Sequence, residues 1–540
     1  MIWKEGSQRP WLKKYPYNNS MLILLIIFFL LWLIATLKSV LFWVYLWQLK
    51  EYHVFRFLDH FKTAKGQTLL LGKLRIIKIF FVCLFLFNPL APFIFIGLIY
   101  VVESGKTALD FWKKKMLKPV FTAKTIVMSF MAVFLEIVFA GLAFWKIQGE
   151  AWLSVLFFPV FLAIADLLTP FIISLLVIFL KPITNFFVRK KLKQAASKLE
   201  KFSKLTVVGI SGSYGKTSTK EFLSEILSEK YSVLKTKKNI NAEIGIAKTI
   251  LEELDEKHDI LIAEIGAYEK GKIKQVCKAI KPKMGILTGI NNQHLATFRS
   301  QENIAKAKFE IIESLPQNGI AIINQDSQYV REGIKSREAE IKKKNISVDN
   351  IDCTIVQNML VEKESVSFEI DGHGFKINVL GRHNVNNFLM AVFAARRLGM
   401  SLEEISQAAL RIRPVGITLE KKENQTIINS SYSANLTGVL ADLDYLNIYK
   451  GKKAIIMPCL IELGKDSRTS HELIAKKISQ VCDFAVITSE ECFEEINKEC
   501  KAVLLQDSEK IAEKVKGFDA VLLEGRISKE IIQKIIKRAA

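Results

Sequence analysis

Cysteine is scarce in this chain, with seven in 540 residues at positions 83, 277, 353, 459, 482, 492 and 500. The number is odd and no two form a Cys-x-x-Cys pair, so neither a metal nor a disulfide framework is expected, and a reducing cytoplasm fits. Acidic residues are also short, 54 against 76 lysines and arginines, giving a formal net charge of +22. Such an excess suits a polyanion, but the chain lacks a basic module interleaved with aromatics of the kind that binds RNA. Much of the excess lies beside apolar segments, so lipid headgroups are the expected partner and nucleic acid is not. Internal repeats and low-complexity tracts are missing too. No small-residue cleavage site follows the first apolar run, which continues past Lys38 to Trp47, and a cleaved signal peptide therefore does not fit.

What is present divides the chain. Half of all residues are hydrophobic, and they concentrate between residues 20 and 180, while residues 200 to 540 have ordinary soluble composition. The length suggests about three or four domains. Segments 21–49, 76–102, 120–145 and 152–180 each reach the roughly 18 to 20 apolar residues that cross a bilayer, too long for core helices of a soluble domain. About four helices are expected in a multi-pass membrane region, residues 1–200. Lys113-Lys114-Lys115 and Arg189-Lys190-Lys191 would face the cytoplasm by the positive-inside rule. The linker from Lys50 to Lys78 is basic as well, which conflicts with a single crossing by 76–102. Asn88-Pro89-Leu90-Ala91-Pro92 in its middle allows a re-entrant hairpin instead.

The most specific stretch is Gly209-Ile-Ser-Gly-Ser-Tyr-Gly-Lys216-Thr217-Ser218. It joins a strand-like run, Leu205 to Ile210, to a segment whose Phe222, Leu223, Ile226 and Leu227 recur at helical spacing. Gly212 and Gly215, with Ser213 and Ser218, let backbone N–H groups approach phosphate. Lys216 supplies a point charge, and the Thr217 hydroxyl reaches a magnesium ion. The usual first glycine of a phosphate loop is replaced by Ile210. Beyond it, Ile260–Ile265, Met284–Gly289 and Ile320–Ile323 alternate with helical stretches, the pattern of a parallel sheet covered by helices. Ligands of such sheets gather at the carboxyl ends of strands, where Glu264 and His294 stand.

These residues carry a family resemblance. The runs Lys238-Asn-Ile-Asn-Ala-Glu243-Ile-Gly245, Ala263-Glu264-Ile-Gly-Ala, His294 through Lys308 to Ile311, and Gly381-Arg-His-Asn384-Val-Asn-Asn387 resemble the Mur ligases, in order, over about residues 204 to 540. Within that family they are most similar to the branch that joins D-alanyl-D-alanine to a UDP-muramoyl tripeptide. After the membrane region, which the family pattern does not include, the resemblance implies an α/β P-loop central domain, 201–412, and a Rossmann-like α/β C-terminal domain, 413–540. It also implies an ATP- and Mg²⁺-dependent amide ligase of peptidoglycan synthesis, working through an acyl phosphate on a cell-wall precursor and an amino acid or dipeptide. Lys216, Lys308 and His294 would be catalytic, Thr217, Glu264 and His294 would hold metal, and Asn384 and Asn387 would lie near the adenine. Asn241 and Glu243 would meet substrate, and Lys308 would be carbamylated.

Three positions depart from the family pattern, all in the C-terminal domain: Ile417 for an arginine, Ser430 for an aspartate and Glu524 for a lysine. Ile461-Glu462-Leu-Gly464 and His471 follow the pattern. The N-terminal residues leave no room for the domain that would hold a nucleotide-sugar, which points to a lipid-linked acceptor and to contact with other cell-wall enzymes. A poly-γ-glutamate or capsule-type ligase and a non-catalytic ATP-binding scaffold remain as alternatives. A transporter is disfavoured because few ionisable residues beyond Glu136 and Asp166 fall within the apolar segments.

Overall fold

The computed structural model describes residues 19–88, 90–146, 151–237, 240–292, 295–422, 425–431 and 435–538. The chain divides into two compact units, Met1–Asn185 and Phe186–Ala540.

The first unit is helical, with α1 (Asn19–Leu49), α2 (Val54–His60), α3 (Ala64–Leu70), α4 (Lys73–Leu84), α5 (Leu90–Trp112), α6 (Ala123–Lys146) and α7 (Ala151–Leu199). Among the described residues, four stretches are long and apolar enough to cross a membrane: Leu22–Leu49, Leu90–Trp112, Ala123–Trp145 and Leu156–Leu199. Large apolar side chains such as Ile23, Phe95, Phe130 and Phe171 are exposed on them. Residues 76–102, for which the sequence allows one crossing or a proline-broken hairpin, fall in two helices. Asn88 Oδ1 accepts the N–H groups of Leu90 and Ala91 at 3.0 and 3.4 Å and so caps α5. The α4 helix lies back on α5, with Phe81 and Phe95 stacked at a centroid distance of 4.6 Å. Proline explains the break, because it offers no N–H to a preceding turn and disfavours helical geometry in the residue before it. At 12 residues, α4 is about 18 Å long, against a hydrocarbon core of roughly 30 Å. The α7 helix contains Pro159, Pro170 and Pro182 and continues beyond the expected end at residue 180.

In the second unit Leu192 and Ala195 from the last turns of α7 join a core beneath a six-stranded sheet. Its strands are β1 (Thr206–Ser211), β2 (Val233–Lys235), β3 (Ile260–Glu264), β4 (Met284–Leu287), β5 (Ile320–Asn324) and β6 (Ser347–Ile351). They lie in the order 2-3-1-4-5-6, all parallel. The helices α8 (Lys216–Leu227), α9 (Glu243–Glu253), α10 (Lys272–Ile280), α11 (Leu295–Phe298) and α12 (Gln301–Glu313) fall between these strands. Every residue of β3 and β4 is buried, as expected of strands covered on both faces. A small antiparallel sheet follows, β7 (Gln357–Val361), β8 (Val366–Ile370) and β9 (His373–Ile377). The helix His383–Arg397 then packs on α8, with the Phe222 and Phe388 rings edge to face at 6.4 Å.

The last domain holds β10 (Thr418–Lys422), β11 (Gln425–Ser430), β12 (Lys453–Met457), β13 (Phe484–Ile487), β14 (Ala502–Leu504) and β15 (Ala520–Glu524). The order is 10-11-15-12-13-14, antiparallel only between β10 and β11. One expectation fails here. Cys459 and Cys492 form a disulfide, with their Cα atoms 5.6 Å apart. They are 33 residues apart in sequence, a spacing without a motif, and meet because adjacent parallel strands β12 and β13 deliver their following loops to one edge. His471 approaches the same two sulfurs, and only with the disulfide reduced could the three side chains serve as metal ligands.

Candidate functional site

The loop between β1 and α8 is shaped by two glycines. Gly212 has φ of 152°, and a Cβ there would lie 2.1 Å from Thr288 Oγ1. Gly215, the N-cap of α8, has φ of 77°, and a Cβ would lie 2.2 Å from Asn387 Oδ1. Both positions need a left-handed backbone and the space a side chain would fill. Thr288 fastens the loop from the neighbouring strand end, donating to the carbonyl oxygen of Tyr214, and the Ser213 N–H donates to the Gly289 carbonyl at 2.7 Å. The Ser213 hydroxyl is buried with no partner among the described residues. Lys216 opens α8 and folds back, donating to the Gly212 carbonyl at 2.7 Å. Burial pushes its pKa down, and Glu264 opposes the shift.

Glu264 closes β3 and is 1 % exposed. Parallel pairing sets it beside Ile210 of β1, next to the loop. Three donors converge on its carboxylate. Thr217 Oγ1 lies 3.2 and 3.1 Å from its two oxygens, Asn241 Nδ2 is 3.2 Å from Oε1, and Lys220 Nζ is 3.1 Å from Oε2. Separately, the backbone N–H of Glu264 donates to Thr236 Oγ1 at 3.0 Å, which holds the strand end in place. Lys220, fully buried, was not anticipated from the sequence. Its signal is helical: positions 216, 217 and 220 share a face of α8. Hydroxyl and carboxylate oxygens side by side are the donor set of a hard divalent cation that keeps some of its other positions for phosphate oxygens. The two glycine cradles and the helix N-terminus suit a phosphate chain.

Lys308 sits on α12, 3 % exposed, with Nζ 3.3 Å from the Ala267 carbonyl. Burial, reinforced by the nearby Lys216 charge, lowers its pKa to about 7, and Glu310 only partly offsets this. Asn387 lies over Gly215 and donates to Asn384 Oδ1 at 3.4 Å, and Asn384 donates to the Leu380 carbonyl at 2.9 Å. Ser218 follows on the first turn of α8, half-buried. Glu243 is engaged elsewhere, paired with Lys272 at 2.8 Å, while its neighbour Asn241 does reach Glu264. His294 lies outside the described residues, as do Tyr432, Ser433 and Ala434. Just before it, Asn291 and Asn292 donate to Asn435 at 3.1 Å and Asp466 at 2.6 Å, tying the loop after β4 to the C-terminal domain.

A cleft of about 1310 Å³ between the two sheets is lined by Thr217, Lys235, Lys237, Arg411, Arg413 and Arg526, among others. The three departing residues are buried rather than on its wall. Ile417 is in the apolar core. Ser430 and Glu524 are cross-strand neighbours on β11 and β15, and the Ser430 hydroxyl donates to Asp442 at 2.6 Å. Burial, then the Asp442 charge, holds the Glu524 carboxyl well above its ordinary range.

Comparison with known proteins agrees with this geometry. Residues 210–395 match the Mur ligase middle domain. The chain is 33 % identical over 296 residues to the UDP-N-acetylmuramoyl-tripeptide–D-alanyl-D-alanine ligase of Buchnera aphidicola subsp. Baizongia pistaciae, covering 53 % of this chain and 64 % of that one. With the ligase of the same name from Borreliella burgdorferi it shares 30 % over 336 residues, covering 60 % and 69 % respectively. Several other curated relatives are matched over only about 60 % of their length. Among solved structures, the MurF ligase of Thermotoga maritima in complex with ADP superposes with a TM-score of 0.57 at 26 % identity, covering 65 % of this chain and 84 % of that one. MurF from Acinetobacter baumannii gives 0.59 at 24 %, covering 65 % and 80 %, a likeness of fold. The two-glycine loop and Glu264 on the parallel sheet, the buried Lys308 on the helix beside it and the second α/β domain thus accompany a relative 30 % identical and covered over 69 % of its length, and the chain belongs to the Mur ligase family.

Proposed function

We propose that the chain is a membrane-anchored, ATP-dependent amide ligase of the MurF type, acting in peptidoglycan precursor synthesis. Residues 1–200 would form the anchor, 201–412 the ATP-binding domain and 413–540 the closing domain. The observation that carries the reading is the convergence of Thr217, Lys220 and Asn241 on Glu264 beside the two-glycine loop. A substrate carboxylate would attack the γ-phosphorus of ATP, forming an acyl phosphate and releasing ADP. An amine would then attack the acyl carbon, expelling inorganic phosphate and giving up a proton. The loop amides and Lys216 would hold the phosphates and offset charge gathering on the transferred group. Magnesium held by Thr217 and Glu264 would supply Lewis-acid charge stabilisation. Lys308, an amine near neutrality in a buried site, suits carbamate formation: the free amine adds carbon dioxide and releases a proton, leaving an anionic oxygen pair where Lys216 would otherwise face a like charge. The basic cleft suits an anionic acceptor.

The test is ADP release by the full chain in lipid, with Mg²⁺, bicarbonate and D-alanyl-D-alanine, offering UDP-muramoyl tripeptide or its lipid-linked form, against a Lys216→Ala control. Release that depends on acceptor and is lost in the control is the expected result. ATP binding with no release on either acceptor would replace the substrate assignment with another, and absence of ATP binding would favour a scaffold.

A further inference from the structure

The first unit carries charge in its interior. Lys78 of α4, 2 % exposed, donates to Asp166 of α7 at 2.5 Å and to Glu103 of α5 at 2.6 Å, and its ammonium lies 4.7 Å from the Tyr100 ring centroid. Arg75, one turn before Lys78, is within electrostatic reach of both carboxylates. Tyr100 is fully buried, and its hydroxyl has no partner among the described residues. Glu136 of α6 is fully buried as well. Thr169 of α7 donates to its Oε1 at 2.7 Å, and its Oε2 has no partner among the described residues. Trp32 and Thr36 of α1, both fully buried, leave a ring N–H and a hydroxyl in the same condition. These residues pair by helical spacing, 32 with 36, 100 with 103 and 166 with 169, so that polar faces of α1, α5 and α7 turn inward together with single residues of α4 and α6. Lys78 and Glu103 lie near the ends of the second apolar run, and the return of α4 along α5 brings them to Asp166. The sequence estimate of few intramembrane ionisable groups therefore undercounts them.

An ion-paired triad and a lone carboxyl serve different ends. Lys78 and Arg75 compensate Asp166 and Glu103. The charged group that reaches Glu136 is Asp166, of the same sign, and a buried carboxylate without a cation takes up a proton. We propose that Glu136 is a proton-binding site inside the helical unit, with Thr169 orienting it, the Tyr100 hydroxyl as its polar neighbour and the Lys78–Asp166–Glu103 triad as the fixed charge against which it titrates. The groups facing it are Thr169 and Asp166 from α7 and, through Tyr100, Glu103 and Lys78 from α5 and α4. The exchange is simple protonation: a proton from water binds a Glu136 carboxylate oxygen and leaves by the same bond breaking, with no other reactant. The proposal rests on the membrane reading of this unit, where a buried ionisable residue is costly unless it has a task.

The test uses the full chain in vesicles of phosphatidylethanolamine and phosphatidylglycerol, treated with a lipophilic carbodiimide: the O–H of a protonated carboxyl adds across its C=N bond, and the O-acylisourea formed rearranges by O-to-N acyl transfer to a stable N-acylurea. Peptide mass spectrometry at neutral pH should find Glu136 modified about tenfold more than Asp166 or Glu103, which both accept from the Lys78 ammonium. Glu136→Gln should remove the adduct. Lys78→Gln should extend labelling to Asp166 or Glu103, because it removes the ammonium from which both accept. An alkaline carbonate wash separates the two claims. Protein that washes off overturns the membrane reading and this proposal with it, whereas protein that stays but shows an unmodified Glu136, or equal labelling of all three carboxyls, overturns the proposal alone.

Discussion

Gly215 shows how narrowly one position is constrained. Alanine there would meet both a left-handed backbone and the Asn387 oxygen at 2.2 Å. Gly215→Ala should weaken nucleotide binding at least about tenfold and lower the melting temperature, and Asn387→Ala on that background should recover only the steric part. Titration calorimetry with ADP measures both. Lys308 makes a pH-dependent prediction. Its folded pKa of about 7 lies below the ordinary 10.5, so the unfolded chain binds more protons between these values. The cost to stability is complete on the acid side of 7 and is relieved as pH rises toward 10.5. Lys308→Met should therefore raise the unfolding temperature more at acid than at alkaline pH in bicarbonate-free buffer. It should also abolish any bicarbonate stimulation of ADP release, which in the parent protein should grow as pH rises through 7. A melting series with and without bicarbonate would check both.

Among elements, the β11–β15 pair concentrates the departures from the family pattern. Ser430, Asp442 and Glu524 form a buried polar group with Glu524 held above its ordinary 4.5. A raised carboxyl pKa means that the folded chain keeps a proton which the unfolded chain releases, so stability is fullest below 4.5 and falls as pH climbs above it. Glu524→Gln should flatten that slope and raise the melting temperature at pH 8 more than at pH 5, as scanning calorimetry would show. The disulfide belongs to the same scale. A loop of 33 residues corresponds to about 3 to 4 kcal/mol in the chain-entropy model. Cys459→Ser should lower the denaturant midpoint of the second unit under non-reducing conditions and leave it unchanged under strong reductant. The apolar periodicity of α8 and the run of β3 were legible because local pattern and burial coincide there. The break of 76–102 was legible only as an alternative, since prolines permit a hairpin but packing of Phe81 on Phe95 selects it.

Across the second unit, the proposed catalysis would need two domains to act together, and the ties between them include Asn292 to Asp466, Asn291 to Asn435, the Tyr445 hydroxyl to the Lys363 carbonyl, and Lys421 to Glu364. Asp466→Ala should lower kcat more than it alters ADP affinity, because it loosens closure and leaves the phosphate loop intact. Steady-state kinetics beside ADP titration separates the two effects. The sequence alone determined the membrane-like composition of the first part, the glycine loop with its flanking strand and helix, and the family resemblance, because each is written in short contiguous runs. It also named Thr217, Glu264 and Lys308. Tertiary structure decided what those residues meet. Lys220 and Asn241 reach Glu264 only because β1 and β3 pair in one register, Lys308 loses its proton readily only because α12 buries it near Lys216, and Cys459 finds Cys492 only where two strands end together. Contacts between residues far apart in the chain depend on packing, which no local run of sequence contains.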